Sequence, residues 1–173
     1  MADSIFARLG RGDRALFLRL ALQEETPLHT RQLWRALTHL GGARFTIAVS
    51  LAPLAIGGAW RDGALRALAI LVVSHLLVQV VKRTVGRPRP SRGTSCEVLI
   101  AEPDRFSFPS GHAAAAMSVA LGYAAVLPAV APWFAALAVL VGFSRVALAV
   151  HYPGDVLAGQ GLAVLTALAL WGG

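Results

Sequence analysis

Residues 111–173 read GHAAAAMSVALGYAAVLPAVAPWFAALAVLVGFSRVALAVHYPGDVLAGQGLAVLTALALWGG, a run of 63 residues in which only Arg145 and Asp155 carry a formal charge. A segment that empty cannot present the cationic face nucleic acid requires. The whole chain shares the bias: 173 residues, 56% hydrophobic and 14% charged, with a mean hydropathy of +0.62, where an ordinary soluble domain carries about 25% charged residues. Its formal charge of +7, from 16 Lys and Arg against 9 Asp and Glu, therefore points to a membrane and its anionic lipids, with no nucleic-acid partner.

Outward from that run, five apolar segments are legible at 45–60, 64–81, 113–126, 132–150 and 156–171. Each is slightly short of the ~20 residues a bilayer span takes, and their richness in Ala, Gly and Val suits close helix packing in lipid. Very short turns are expected at 61–63 and 127–131. Alternating spans then place residues 1–44, the loop 82–112 and the turn 151–155 on one side. The expected fold is all-α: a polytopic membrane helix bundle of about five transmembrane helices, preceded by an amphipathic interfacial helical region. The division falls at 1–44 and 45–173, with no internal repeat of fixed period.

Residues 1–44 hold Arg8, Arg11, Arg14, Arg19, Arg31, Arg35 and Arg44 among short apolar clusters, so this part does not span. Thr26 and Pro27 suit an N-cap and first helical residue, and Leu33, Leu37 and Leu40 recur at helical spacing beside Trp34 until Gly41 and Gly42. Such a helix lies on the interface with Arg31, Arg35 and His39 toward headgroups, or packs over the ends of the spans; the pattern fits both. The N-terminus lacks the apolar core of a signal peptide, so insertion falls to the internal spans and no cleavage is expected. Cys96 stands alone and is given no role.

Three clusters fall on the same predicted side. In KRTVGRPRP (82–90), Lys82, Arg83, Arg87 and Arg89 crowd the exit of the second span, where two prolines forbid helix continuation; four cations this close repel unless an anion sits among them. A snorkelling collar at the membrane surface is the bland alternative. In FSFPSGHAAAAMS (106–118), Ser110 and Gly111 open the third span, where unpaired N–H groups and helix-dipole charge suit a phosphate, and His112 stands at the helix start. In SRVALAVHYPGD (144–155), Ser144 and Arg145 lie inside an apolar span, and an arginine there argues for a polar cavity or an anion. Asp155, four residues after His151, can orient one imidazole nitrogen if the turn folds back. Two histidines, one carboxylate and several cations, with no cysteine or carboxylate cluster for Mg²⁺ or Zn²⁺, suit metal-free attack on phosphorus. No cofactor and no metal is expected, and vanadate should fit the same site.

Lys82 with Arg89 and Pro90 matches KxxxxxxRP, residues 109–112 match PSGH, and Ser144 to Asp155 matches SRxxxxxHxxxD, in order and at every fixed position. Together they resemble the type 2 phosphatidic acid phosphatase (PAP2) superfamily, which includes undecaprenyl diphosphate phosphatases and the soluble vanadium haloperoxidases. The resemblance implies His151 as nucleophile forming a phosphohistidine, Asp155 orienting it, and His112 as general acid and then base for water. Lys82, Arg89, Ser110, Gly111, Ser144 and Arg145 would hold the phosphate oxygens. Arg83, Arg87 and Arg92 are outside the fixed positions and are candidates for headgroup or interface contact. His75, Gln160 and Thr166 are expected to bond to neighbouring helices, and Trp60, Trp133 and Trp171 to anchor at the interface.

The implied function is hydrolysis of a lipid phosphomonoester or isoprenyl diphosphate, of phosphatidate, phosphatidylglycerophosphate or undecaprenyl diphosphate type, in a bacterial inner membrane. The family orientation puts the site on the extracytoplasmic face. The positive-inside count runs the other way, with only Arg61 and Arg66 of the 16 cations on the opposite side. Two alternatives use the same residues: a lipid phosphotransferase, separable by its product, and a lipid-phosphate binder or transporter, which needs neither histidine. A haloperoxidase does not fit so little polar surface.

Overall fold

The computed structural model describes residues 5–92, 94, 98–102 and 104–172, with side chains from Gly10 onward; Cys96 lies outside the described residues. Seven α-helices are present among them: α1 (Ile5–Leu20), α2 (Leu28–His39), α3 (Ala43–Leu51), α4 (Gly58–Val85), α5 (Gly111–Ala124), α6 (Ala131–Ala147) and α7 (Pro153–Trp171). The described residues hold no strand beyond an isolated bridge between Pro88 and Phe106.

The pattern of small residues decides what sits in the middle. In α5 buried positions fall all round the helix, among them Ala113, Ala116, Ser118, Ala120 and Tyr123, so it packs against α4, α6 and α7 at once. Alanine faces let neighbouring backbones approach, which replaces the missing hydrophobic drive between helices in lipid. Polar pairs fix the register: Ser74 of α4 meets Ser118 of α5 at 2.9 Å, and the Tyr123 hydroxyl donates to the Val49 carbonyl of α3 at 2.6 Å. Gln160 reaches the Ala138 carbonyl of α6, as expected, whereas Thr166 bonds within its own helix.

The outward faces are apolar, with Val72, Leu76 and Val80 of α4 and Leu157, Leu165 and Leu168 of α7 all exposed. Such a surface belongs in hydrocarbon, and the chain is a polytopic membrane helix bundle. Two helices, Gly58–Val85 and Pro153–Trp171, are long and apolar enough to cross; Ala43–Ala55 and Ala131–Ala147 are shorter apolar helices.

The first two segments end elsewhere than expected. Beyond α3 a 3-10 turn over Ala52–Ala55 carries Pro53, and Gly57 (φ 83) turns the chain into α4. Trp60 and residues 61–63 therefore lie in the first turns of α4, and the short turn falls at Ile56 and Gly57. Helix α2 starts one residue late, with Pro27 at the N-cap; the Thr26 hydroxyl instead accepts the Gln23 N–H. Of the two arrangements open to α2, it packs over the spans, Trp34 against Phe143 of α6 at 5.0 Å, with Thr38 buried.

Candidate active site

Each motif residue reaches the site through a local backbone device. Helix α4 delivers Lys82 at its end, and Gly86 caps it in the left-handed conformation (φ 63) so that the chain turns back toward Arg89. Ser110 caps α5, its hydroxyl accepting the Ala113 N–H at 3.5 Å, and its own N–H is held by the Asp155 carbonyl at 2.9 Å. Gly111 and His112 thus form the first helical turn beside α7. At the end of α6, Ala149 adopts φ 60, a conformation costing on the order of 1 kcal/mol for a non-glycine residue. The turn lets Val150 and His151 both donate their N–H to the Arg145 carbonyl, at 3.1 and 3.2 Å. His151 is thereby fixed one turn beyond Arg145.

The cations converge. Lys82, Arg89 and Arg145 are all buried. Lys82 Nζ donates to Asp104 Oδ1 and Oδ2 at 3.0 and 2.7 Å, and Arg89 Nη2 to Asp104 Oδ1 at 2.9 Å. The anion among these cations is thus a loop carboxylate that the sequence reading did not single out. Burial alone would push the Asp104 carboxyl up, but bonds and charge from Lys82 and Arg89 hold it below its ordinary 3.8. Arg145 gives Nη1 to the Thr38 hydroxyl of α2 at 2.6 Å; its Nε and Nη2 are buried with no partner among the described residues.

His151 is almost wholly buried, and burial, followed by the charges of Arg145, Arg89 and Lys82, holds its pKa well below 6.5. The ring is neutral at pH 7. Arg89 Nη1 stands 3.3 Å from Nε2, and a guanidinium can only donate, so Nε2 carries the lone pair and Nδ1 the proton. Nδ1 faces Asp155 Oδ2 at 3.6 Å, longer than a hydrogen bond, and becomes an ion pair only when the ring gains a charge. Each Asp155 oxygen has a partner of its own: Oδ2 accepts the Tyr152 N–H at 2.8 Å and Oδ1 accepts Arg87 Nη1 at 2.7 Å.

Two expectations change. Arg87 does not reach toward headgroups; it joins Asp155 to Asp13 of α1, with Nη2 2.7 Å from Asp13 Oδ2. Arg83 and Arg92 stay exposed. Among the described residues His75 bonds no neighbouring helix; it meets Gln79 one turn along α4 at 3.4 Å. Ser144 is buried beside Arg145, its hydroxyl donating to the Val141 carbonyl of its own helix at 2.6 Å.

Lys82, Asp104, Gly111, His112 and His151 line a cavity of about 580 Å³ together with the apolar Ile47, Leu68, Leu71, Val72 and Leu76, with Thr46, His75 and Gln79 also on its wall. Charged and apolar walls together match an amphiphile. Among the described residues no three His, Cys, Asp or Glu side chains come together as a metal site needs.

Residues 63–172 match the PAP2 superfamily. The chain is 36% identical over 126 residues, 72% of its length and 68% of the other's, to decaprenylphosphoryl-5-phosphoribose phosphatase of Mycolicibacterium smegmatis. It is 35% identical over 94 residues to lipid A 1-phosphatase of Rhizobium johnstonii, a match spanning 38% of that longer protein. Its fold is similar to the crystal structure of the transmembrane PAP2-type phosphatidylglycerolphosphate phosphatase of Bacillus subtilis, with a TM-score of 0.78 at 28% identity over 95% of this chain and 85% of that one. A family match over most of the chain, and a bundle shared almost end to end with a membrane phosphatase, make this chain a member of the PAP2 superfamily and an enzyme of its phosphatase type.

Proposed function

We propose that the chain hydrolyses a lipid phosphate through a phosphohistidine on His151, without metal. The observation that carries this reading is the Arg145 guanidinium, buried beside His151 with two N–H-bearing nitrogens unpartnered among the described residues. A permanent charge in that state is costly unless an anion meets it, and a phosphate reaching Arg145, Lys82 and Arg89 brings its phosphorus toward the His151 lone pair.

In this mechanism His151 Nε2 attacks phosphorus in line and the P–N bond forms as the P–O bond to the lipid breaks. The leaving oxygen takes a proton from His112; burial and then the charge of Arg145 push the His112 pKa down to about 3, so the ring carries that proton only once a phosphate dianion offsets the cations around it. Water then attacks the phosphohistidine, His112 takes its proton, and the P–N electrons return to Nε2. Lys82, Arg89, Arg145 and the first turn of α5 at Ser110 and Gly111 hold the equatorial oxygens. The Ser144 hydroxyl would join them, and Asp155 carries the counter-charge for the ring. The apolar walls of the cavity take the first part of the lipid tail.

Phosphatidate, phosphatidylglycerophosphate and isoprenyl diphosphate types are all candidate substrates; the relatives are named for a decaprenyl-linked phosphoribose phosphate, lipid A, phosphatidylglycerophosphate and undecaprenyl diphosphate. Residues 45–173 are read as the phosphatase domain and 1–44 as its interfacial region. The active site is placed on the extracytoplasmic face of a bacterial inner membrane. Several cations that argue otherwise have structural partners: Arg31 and Arg35 donate to the Gln23 and Leu99 carbonyls, and Arg87 pairs with two carboxylates.

The test is inorganic phosphate release by detergent-purified protein in chelator, across phosphatidate, phosphatidylglycerophosphate and undecaprenyl diphosphate, with His151→Ala in parallel. Vanadate-sensitive release that disappears in the variant is expected. A strict Mg²⁺ requirement, or full release by His151→Ala, contradicts the reading.

A further inference from the structure

Behind His151, at its Nδ1 side, lies an ion cluster of which the hydrolytic reading uses only Asp155. Asp155 is fully buried, and both its oxygens are taken, one by Arg87 and one by the Tyr152 N–H. Arg87 lies over the Tyr152 ring at 4.2 Å and turns its second nitrogen to Asp13 Oδ2 at 2.7 Å. The other Asp13 oxygen accepts the Gly154 N–H at 2.8 Å, and a Cβ on residue 154 would stand 2.9 Å from Asp13 Oδ2. Helix α1 is seated here by Phe17, fully buried against the edge of Tyr152 at 5.2 Å. One carboxylate from α1 therefore grips both the arginine on Asp155 and the first turn of α7 that carries Asp155.

Charge gives this grip a consequence. A phosphohistidine or imidazolium at His151 needs net negative charge behind it. Asp155 with Arg87 alone is a neutral pair, its charge drawn away from the ring. Two carboxylates around one guanidinium carry a net charge of −1, so the counter-charge exists only while Asp13 is in place.

We infer that Asp13 of the N-terminal helix is a positioning residue for the reaction: by offsetting Arg87 it supplies the negative charge that lets Asp155 support a cationic His151. The inference rests on His151 as the nucleophile. Asp13 does not touch the phosphate, so it acts on kcat and leaves KM nearly unchanged.

Phosphate release from phosphatidate in detergent micelles with chelator tests it, on wild type, Asp13→Asn, Arg87→Gln, the Asp13→Asn/Arg87→Gln double variant and His151→Ala. Asn at 13 keeps an oxygen for the Gly154 N–H and removes the charge, and kcat is expected to fall about tenfold with KM within about twofold. The double variant restores net −1 through Asp155 alone and is expected to turn over at least about threefold faster than Asp13→Asn. A merely structural contact would make the double variant the slower of the two. Wild-type kcat in Asp13→Asn, or a double variant no faster than it, overturns the inference even if Asp13→Asn folds poorly. Release that persists in His151→Ala, or is missing from wild type, instead overturns the hydrolytic reading and the inference with it.

Discussion

His151 stands between two clusters of the same chemistry. On the cavity side Asp104 bridges Lys82 and Arg89; on the far side Asp155 and Asp13 bridge through Arg87. The difference is access. The Asp104 side chain is 40% exposed and borders the cavity, whereas the Asp155 side chain is 0% exposed and each of its oxygens has a partner. The part-exposed Asp104 carboxylate can swing toward solvent when a substrate phosphate takes its place on the two buried cations, so that neither is left unpaired. Removing one member of a buried pair leaves an uncompensated charge. Exchangeable anion in front and fixed anion behind is what the proposed displacement at His151 calls for.

Removing the shared element should do most. His151→Ala is expected to lower kcat by at least about 10³-fold, read as phosphate release, since only background catalysis by the cation cradle remains. Next comes the buried cation in front: Arg145→Gln should cost about 10²-fold in kcat/KM and weaken vanadate inhibition in parallel. If vanadate inhibition is unchanged, Arg145 does not meet the phosphate. Asp104→Asn should run the opposite way, tightening vanadate inhibition up to about tenfold as the competing charge is removed. Weaker inhibition would make Asp104 part of the cradle and not its competitor.

The smallest effect is on stability. His151 is held neutral well below pH 6.5 in the fold, while the unfolded chain takes up its proton near 6.5. Stability contributed by the neutral ring is present above that value and lost as pH falls below it, at up to about 1.4 kcal/mol per pH unit. The depressed carboxyl of Asp104 adds a loss only as pH falls below about 3.8. Thermal unfolding in detergent from pH 7.5 to 5 should show Tm falling with a slope that flattens in His151→Gln. An equal slope would place the titrating group elsewhere.

Much of the front was legible in the sequence because its parts are local. PSGH and SRxxxxxHxxxD are single turns at helix ends, where spacing dictates geometry, and Lys82 to Arg89 is one helix exit. The partners were hidden because folding joins them across the chain: Arg87 and Asp13 lie 74 residues apart, and Arg145 and Thr38 107. Some signals were present. Asp13 is the lone acid of a helix holding Arg8, Arg11, Arg14 and Arg19, and Asp104 is one of few acids in a loop that follows four cations. The first span stops short of its apolar run because Pro53 and the positive φ of Gly57 break the α-helix where hydropathy alone continues to Trp60.

The central claim is a covalent bond between phosphorus and His151. Incubating the protein with radiolabelled phosphatidate in chelator, quenching in alkali and mapping the labelled peptide tests it most directly. The account predicts an acid-labile, alkali-stable phosphopeptide containing His151 in wild type and missing from His151→Ala. Turnover in chelator with no label on His151 in wild type would contradict it.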